Sequence, residues 1–240
     1  MNRVAGVDGC RGGWIAAFAE VSGAVHVRVL PRFADVLAAP ERPEIVAVDI
    51  PIGLPEAIGP GGRGPERAVR GLLGARQSSV FTVPSRPAVY ARDYRAACLI
   101  ALATSDPPRK VSKQLFMIAP RIREVDEILR ADPSLAPRVF EVHPEVAFWR
   151  LNGEQALTKP KKVKGQPYPP GLDLRRRLLA AEGFAAEVTG QAPPPGAGAD
   201  DLLDALACAA VARRILAGRA RPFPDPPFAD GFGLPVAIWA

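Results

Sequence analysis

The chain is apolar from Val4 to Val7, and the apolar character resumes at "WIAAFAEV" (14–21) after a glycine-rich interruption. "AVHVRVL" (24–30) alternates, placing Val25, Val27 and Val29 on one face. These patterns predict three successive strands joined by short turns at 10–13 and at Ser22-Gly23. "FADVLAAP" predicts a short helix ended by Pro40. "EIVAVDIPIGLP" (44–55) predicts a strand covered on both faces, with Asp49 at its end. Residues 56–66, rich in Gly and Pro, read as a loop, and helical patches follow at 66–75, 93–104 and 112–130. The last contains Pro120, so a kink or break is expected there. "PRVFEVHPEVAFW" (137–149) returns to strand character, and "LDLRRRLLAAEG" predicts a helix ended by Gly183. The clearest helix, "ADDLLDALACAAVARRILAG", follows the loop "GQAPPPGAG"; Asp200 reads as its N-cap and Gly218 as its close. The Pro-rich tail from Arg221 is expected to wrap the surface.

The order β-β-β-α-β, helices, β, helices predicts an α/β fold: a mixed sheet with helices packed against it. With no repeat and no break in composition, residues 1–240 read as one domain carrying a mainly helical insertion at about 56–135. There is no signal-like start and no apolar run of membrane-spanning length, so no membrane partner and a cytoplasmic location are expected. Cys10, Cys98 and Cys208 are odd in number and far apart, which argues for buried small hydrophobes over a disulfide framework or structural zinc. The net charge of +6 suits a partner bearing phosphates without requiring one.

Asp8, Asp49, Glu141 and the pair Asp201/Asp204 stand apart from other acids because each follows apolar residues at an element end. Neighbouring strand ends lie about 5 Å apart, so Asp8, Asp49 and Glu141 converge if their strands are adjacent. Asp201 and Asp204, three apart, share a helix face. A nest of four or five carboxylates needs counter-charge, and two hard cations, Mg²⁺ or Mn²⁺, would supply it. Such a pair can activate water and stabilise the leaving oxygen of a phosphodiester. Gly9, Gly12 and Gly13 would then clear space around Asp8. The plainer alternatives are that Asp8 and Asp49 accept backbone hydrogen bonds in turns and that Asp201 complements the helix dipole. Asp204, flanked by Leu202, Leu203, Ala205 and Leu206, is harder to explain in that way.

The blocks "GVDGCRGGW", "DIPIGLP", "RQSSVFTVPSR", "SKQLFMI", "EVHPEVAFWRLNG" and "DDLLDALACA" together resemble the domain of unknown function 429 family nearly from end to end. Members are regarded as predicted nucleases of the ribonuclease H-like fold, so the resemblance implies that fold and metal-dependent phosphodiester hydrolysis. "DLLDALA" is similar to the D-x-x-D-A-L-A helix of Holliday-junction resolvases, which implies metal-binding roles for Asp201 and Asp204. The first-strand aspartate of such nucleases matches Asp8, and Asp49 stands where resolvases have glutamate. Glu141 has no secure counterpart there.

Around these acids, "EVHPE" places Glu141, His143 and Glu145 on one face if extended, making His143 a candidate proton shuttle or a hydrogen-bonded strand-end histidine. Arg76, Ser78, Ser79 and Arg86, with Lys113 and Arg11, are candidate phosphate donors. For the insertion residues the alternative is that they pin the insertion to the sheet, and for Arg11 that it neutralises the acids. "KPKKVKG" (159–165) reads as a solvated loop that adds non-specific attraction to a polyanion. The expected substrate is thus nucleic acid or another phosphoester. Two other functions stay open. "DGCRGGW" resembles the phosphate turn of actin-like ATPases and sugar kinases, which implies nucleotide-dependent phosphotransfer, although those proteins use two lobes. A non-catalytic module binding nucleic acid or protein is the third.

Overall fold

The computed structural model describes residues 3–21 and 23–240; the predicted turn residue Ser22 lies outside them. Strands β1 (Arg3–Cys10), β2 (Gly13–Glu20) and β3 (Val25–Leu30) form an antiparallel meander, as their alternation predicts. After a short helix α1 (Phe33–Leu37), strand β4 (Ile45–Val48) pairs parallel to β1, and β5 (Val139–Glu141) pairs parallel to β4. The sheet order is β3-β2-β1-β4-β5, a mixed sheet of ribonuclease H-like topology flanked by helices.

Between β4 and β5 lie α2 (Gly64–Arg70), a 3-10 stretch (Gly71–Ser79), α3 (Arg86–Val89), α4 (Tyr94–Ala103) and α5 (Lys113–Ala131). Helix α5 continues through Pro120, which is exposed, and no break occurs. Its Leu115, Ala119, Ile122, Val125 and Leu129 form one buried stripe, and that packing offsets the backbone bond lost at the proline. Beyond β5 come α6 (Pro144–Leu151), the small hairpin β6 (Lys162–Val163) and β7 (Gln166–Pro167), then α7 (Pro169–Ala181), α8 (Ala186–Gly190) and α9 (Ala199–Leu216). Instead of only wrapping the surface, the tail forms an antiparallel pair, β8 (Pro222–Ala229) and β9 (Pro235–Trp239), with Val236, Ala237 and Ile238 buried.

The expected strand over 137–149 is only three residues long, because Pro144 opens a helix where its missing N–H and fixed φ are tolerated. Glu141, His143 and Glu145 therefore do not share a strand face. The N-cap of α9 is Gly198, not Asp200: Asp201 reaches back to accept from the Gly198 N–H at 2.8 Å.

Side-chain parity divides the sheet into two cores. Ala5, Val7, Val46, Val48 and Val139 face the insertion helices, whereas Val4, Cys10, Ala47 and Val142 face α6, α7 and α9. Helix α9 approaches β1 so closely that a Cβ on Gly6 would lie 2.0 Å from the Ala209 nitrogen. Glycine is what admits the helix, and with it Asp204. All three cysteines are buried and free, and no helix among the described residues is long and apolar enough to cross a membrane.

Candidate active site

A cavity of about 510 Å³ opens where β1, β4 and β5 end, the usual place for a ligand in a sheet of parallel strands. Val7 pairs with Val48, so Asp8 and Asp49, each one residue further on, stand side by side on the face that carries α9. Asp8 accepts the Gly9 N–H at 2.7 Å, and the Asp49 N–H extends the ladder to the Val7 carbonyl at 2.9 Å. Asp204, one turn into α9 and 1% exposed, faces them, and Asp201 joins from the helix start. The sheet and helix thus gather Asp8, Asp49, Asp201 and Asp204 around one cavity.

Glu141 is treated differently by the register. Its partner is Val48, which puts its side chain on the opposite face from Asp8 and Asp49. There it accepts from Arg63 Nη2 at 2.6 Å and from the Ile52 N–H at 2.7 Å, touching the cavity from the side of the insertion. Burial pushes Glu141 up to about 7 even against the Arg63 charge.

The electrostatics follow from burial and crowding. Burial raises Asp8 well above the ordinary carboxylate range; Asp49, Asp204 and Asp201 add to the rise and Lys161 opposes it. Burial raises Asp49 too, against the pull of His143 and Lys161. Asp204 is pushed up to about 6, with burial outweighing Lys161. The lysine stands directly against Asp204 Oδ2, while Asp204 Oδ1 is buried with no hydrogen-bond partner.

Among the described residues, no three His, Cys, Asp or Glu side chains stand close enough together to hold a metal ion as placed. The donor chemistry nevertheless fits a hard divalent cation: carboxylate oxygens at Asp8, Asp49 and Asp204, one of them buried and unpartnered. Lys161 stands among them and its ammonium supplies part of their counter-charge.

The other predicted residues divide. Arg76, Ser78, Ser79 and His143 line the cavity. Arg76 Nε is buried without a partner, and Ser79 Oγ donates to the Arg76 carbonyl at 2.7 Å. His143 Nε2 lies 3.3 Å from the Ser79 carbonyl, which can only accept, so Nε2 is the donor there; the buried Nδ1 has no hydrogen-bond partner. Arg86 is outside the cavity, bound by Asp126 and Asp230 at 2.5 Å each and stacked on Phe232, so it pins the insertion. Arg11 and Lys113 are exposed and do not line the cavity. Gly9 clears space chiefly for Arg121, whose Cδ would be 3.0 Å from a Cβ there.

Lys161, Arg63 and Arg121 line the cavity although the sequence did not single them out. "KPKKVKG" holds four lysines with no local signal separating Lys161 from the rest; its inward turn is imposed by α7.

A family profile described as "Protein of unknown function (DUF429)" matches residues 6–229. No curated protein and no solved structure matches the chain.

Proposed function

This chain belongs to the DUF429 family, whose description assigns no activity, and we propose that it hydrolyses phosphodiesters, in nucleic acid or another phosphoester, with a divalent cation. The observation that carries this reading is Asp204, which lines the cavity with Asp8 and Asp49 and whose Oδ1 is buried without a partner. Asp8, Asp49 and Asp204 would hold Mg²⁺ or Mn²⁺, with Asp201 beside them. A bound ion supplies Lewis acidity and neutralises charge on the phosphate.

The chain's own groups provide the rest. Arg76 and Ser78 line the insertion wall and can offer donors to phosphate oxygens. In hydrolysis the water oxygen bonds to phosphorus as the ester P–O bond breaks, its electron pair leaving with the ester oxygen. One proton must leave the water and one must reach the leaving group. His143, which lines the cavity, would accept the first, and solvent would supply the second. Phe81, Leu115 and Ile118 add an apolar wall that can receive a base or another flat group.

The test is incubation of the full chain with structured and single-stranded nucleic acids and with bis(4-nitrophenyl) phosphate, with Mg²⁺ or Mn²⁺. The expected result is turnover that EDTA abolishes and that Asp8→Asn/Asp204→Asn reduces by more than about 100-fold. Equal turnover by that double variant overturns the proposal. So does the absence of turnover on every substrate, and saturable ATP binding in that case favours phosphotransfer.

A further inference from the structure

Lys161 enters the site by construction. The guanidinium of Arg175, 0% exposed, donates to the Lys159 carbonyl at 3.1 Å, to the Gly171 carbonyl at 3.0 Å and to Glu145 Oε1 at 2.5 Å. A Cβ on Gly171 would lie 1.7 Å from the Pro160 carbonyl oxygen, so the start of α7 is pressed against the arm. The Tyr168 N–H donates to the Lys161 carbonyl at 2.9 Å. Three consecutive residues of a surface-like lysine run are thus tied down one by one, and the third sends its ammonium onto Asp204 Oδ2.

The remaining carboxylates are already engaged. Glu145 is held by Arg175, Asp200 by Lys162 at 2.6 Å, Glu141 by Arg63, and one oxygen of Asp201 by the Gly198 N–H. Asp49, Asp8 through the oxygen not taken by the Gly9 N–H, and Asp204, whose Oδ1 is buried and unpartnered, are left lining the cavity. With the Lys161 ammonium already on Asp204 and opposing the charge at Asp8, these three carboxylates are left with counter-charge to find for one divalent ion in place of two. Building on the hydrolase reading above, we propose that the Lys161 ammonium takes the place of a second cation, so that the site works with a single divalent ion and a resident lysine. A fixed ammonium offers a full positive charge and N–H donors to a phosphate or leaving oxygen, and it needs no recruitment from solution. It acts by charge and hydrogen bonding and transfers no proton.

Isothermal titration of the full chain with Mn²⁺ tests this, supported by the metal dependence of bis(4-nitrophenyl) phosphate turnover. One ion per wild-type chain is expected, and two per Lys161→Met chain, in which Asp204 Oδ2 is freed. Lys161→Arg keeps a cation in place and should keep one. Turnover should rise with the first power of Mn²⁺ concentration in the wild type and with the second power in Lys161→Met. Two ions in the wild type, or one in a folded Lys161→Met chain, overturn this inference and leave the hydrolase reading standing. No Mn²⁺ bound by the wild type overturns both. If Lys161→Met does not fold, the wild-type count decides alone.

Discussion

Replacing Arg63 with Met removes a cation from a fully enclosed ionic network while keeping much of its stem volume. Arg63 Nη1 donates to the Ile52 and Gly53 carbonyls at 2.8 and 2.9 Å, Nη2 to Glu141 at 2.6 Å, and Nε to Glu66 at 2.8 Å. Both acids are buried, so the variant leaves two carboxylates without counter-charge. Breaking a buried pair in this way costs about 3–5 kcal/mol, and for a chain of this size that lowers Tm by roughly 10 °C. The pH dependence has a definite sign. Glu141 is already held at about 7, above its ordinary 4.5, and loss of Arg63 raises it further. A carboxyl raised on folding stabilises the native state below its unfolded pKa, and that stabilisation is lost as pH rises through the folded value. The penalty of Arg63→Met should therefore be smallest near pH 5 and largest near pH 8. Thermal and guanidinium midpoints of both chains, read by circular dichroism at pH 5, 6.5 and 8, measure it. A loss below about 1 kcal/mol at pH 8, or a penalty that grows toward pH 5, refutes the reasoning. Glu141 then serves as a buttress of the insertion, and Glu141→Gln should leave Mn²⁺ affinity within about threefold of wild type.

Other outcomes follow from the same geometry. Asp204 is held at about 6 against an ordinary 3.8, so metal-free stability should fall as pH rises from 4 to 7, by about 3 kcal/mol at most from this group. Added Mn²⁺ should accordingly raise Tm more at pH 8 than at pH 5, and calorimetric scans at both pH values check it. Asp8→Asn keeps an acceptor for the Gly9 N–H but removes a crowded charge; the metal-free chain should gain roughly 1–2 kcal/mol at pH 8 and lose its thermal response to Mn²⁺. Gly6→Val puts side-chain atoms within 2.1 Å of the Ala205 carbonyl and 2.0 Å of the Ala209 nitrogen. It should cost more than about 4 kcal/mol, seen as loss of the cooperative transition and rapid proteolysis.

How much of this was legible in the sequence depends on which residues needed only their own neighbourhood. The β1–β3 meander and α9 were readable because apolar period and turn residues agree locally. Asp204 was legible for a related reason: a carboxylate among leucines and alanines on a buried helix has few plain explanations. Glu141 was not, although it closes a strand after apolar residues just as Asp8 does. The two are separated by register, since Val48 pairs with both Val7 and Glu141. Asp8 is one residue beyond that row and Glu141 lies in it, so they face opposite sides of the sheet. A single residue of offset between parallel strands 93 positions apart (Val48 pairs with Glu141) is invisible without coordinates. Lys161 escaped for the converse reason: what turns it inward is Gly171 and Arg175, which belong to a helix not yet begun when the lysine run ends. Strand parity and inter-element contact therefore decide which charges meet in the cavity. That is why the acids were found in the sequence and the cation that stands among them was not.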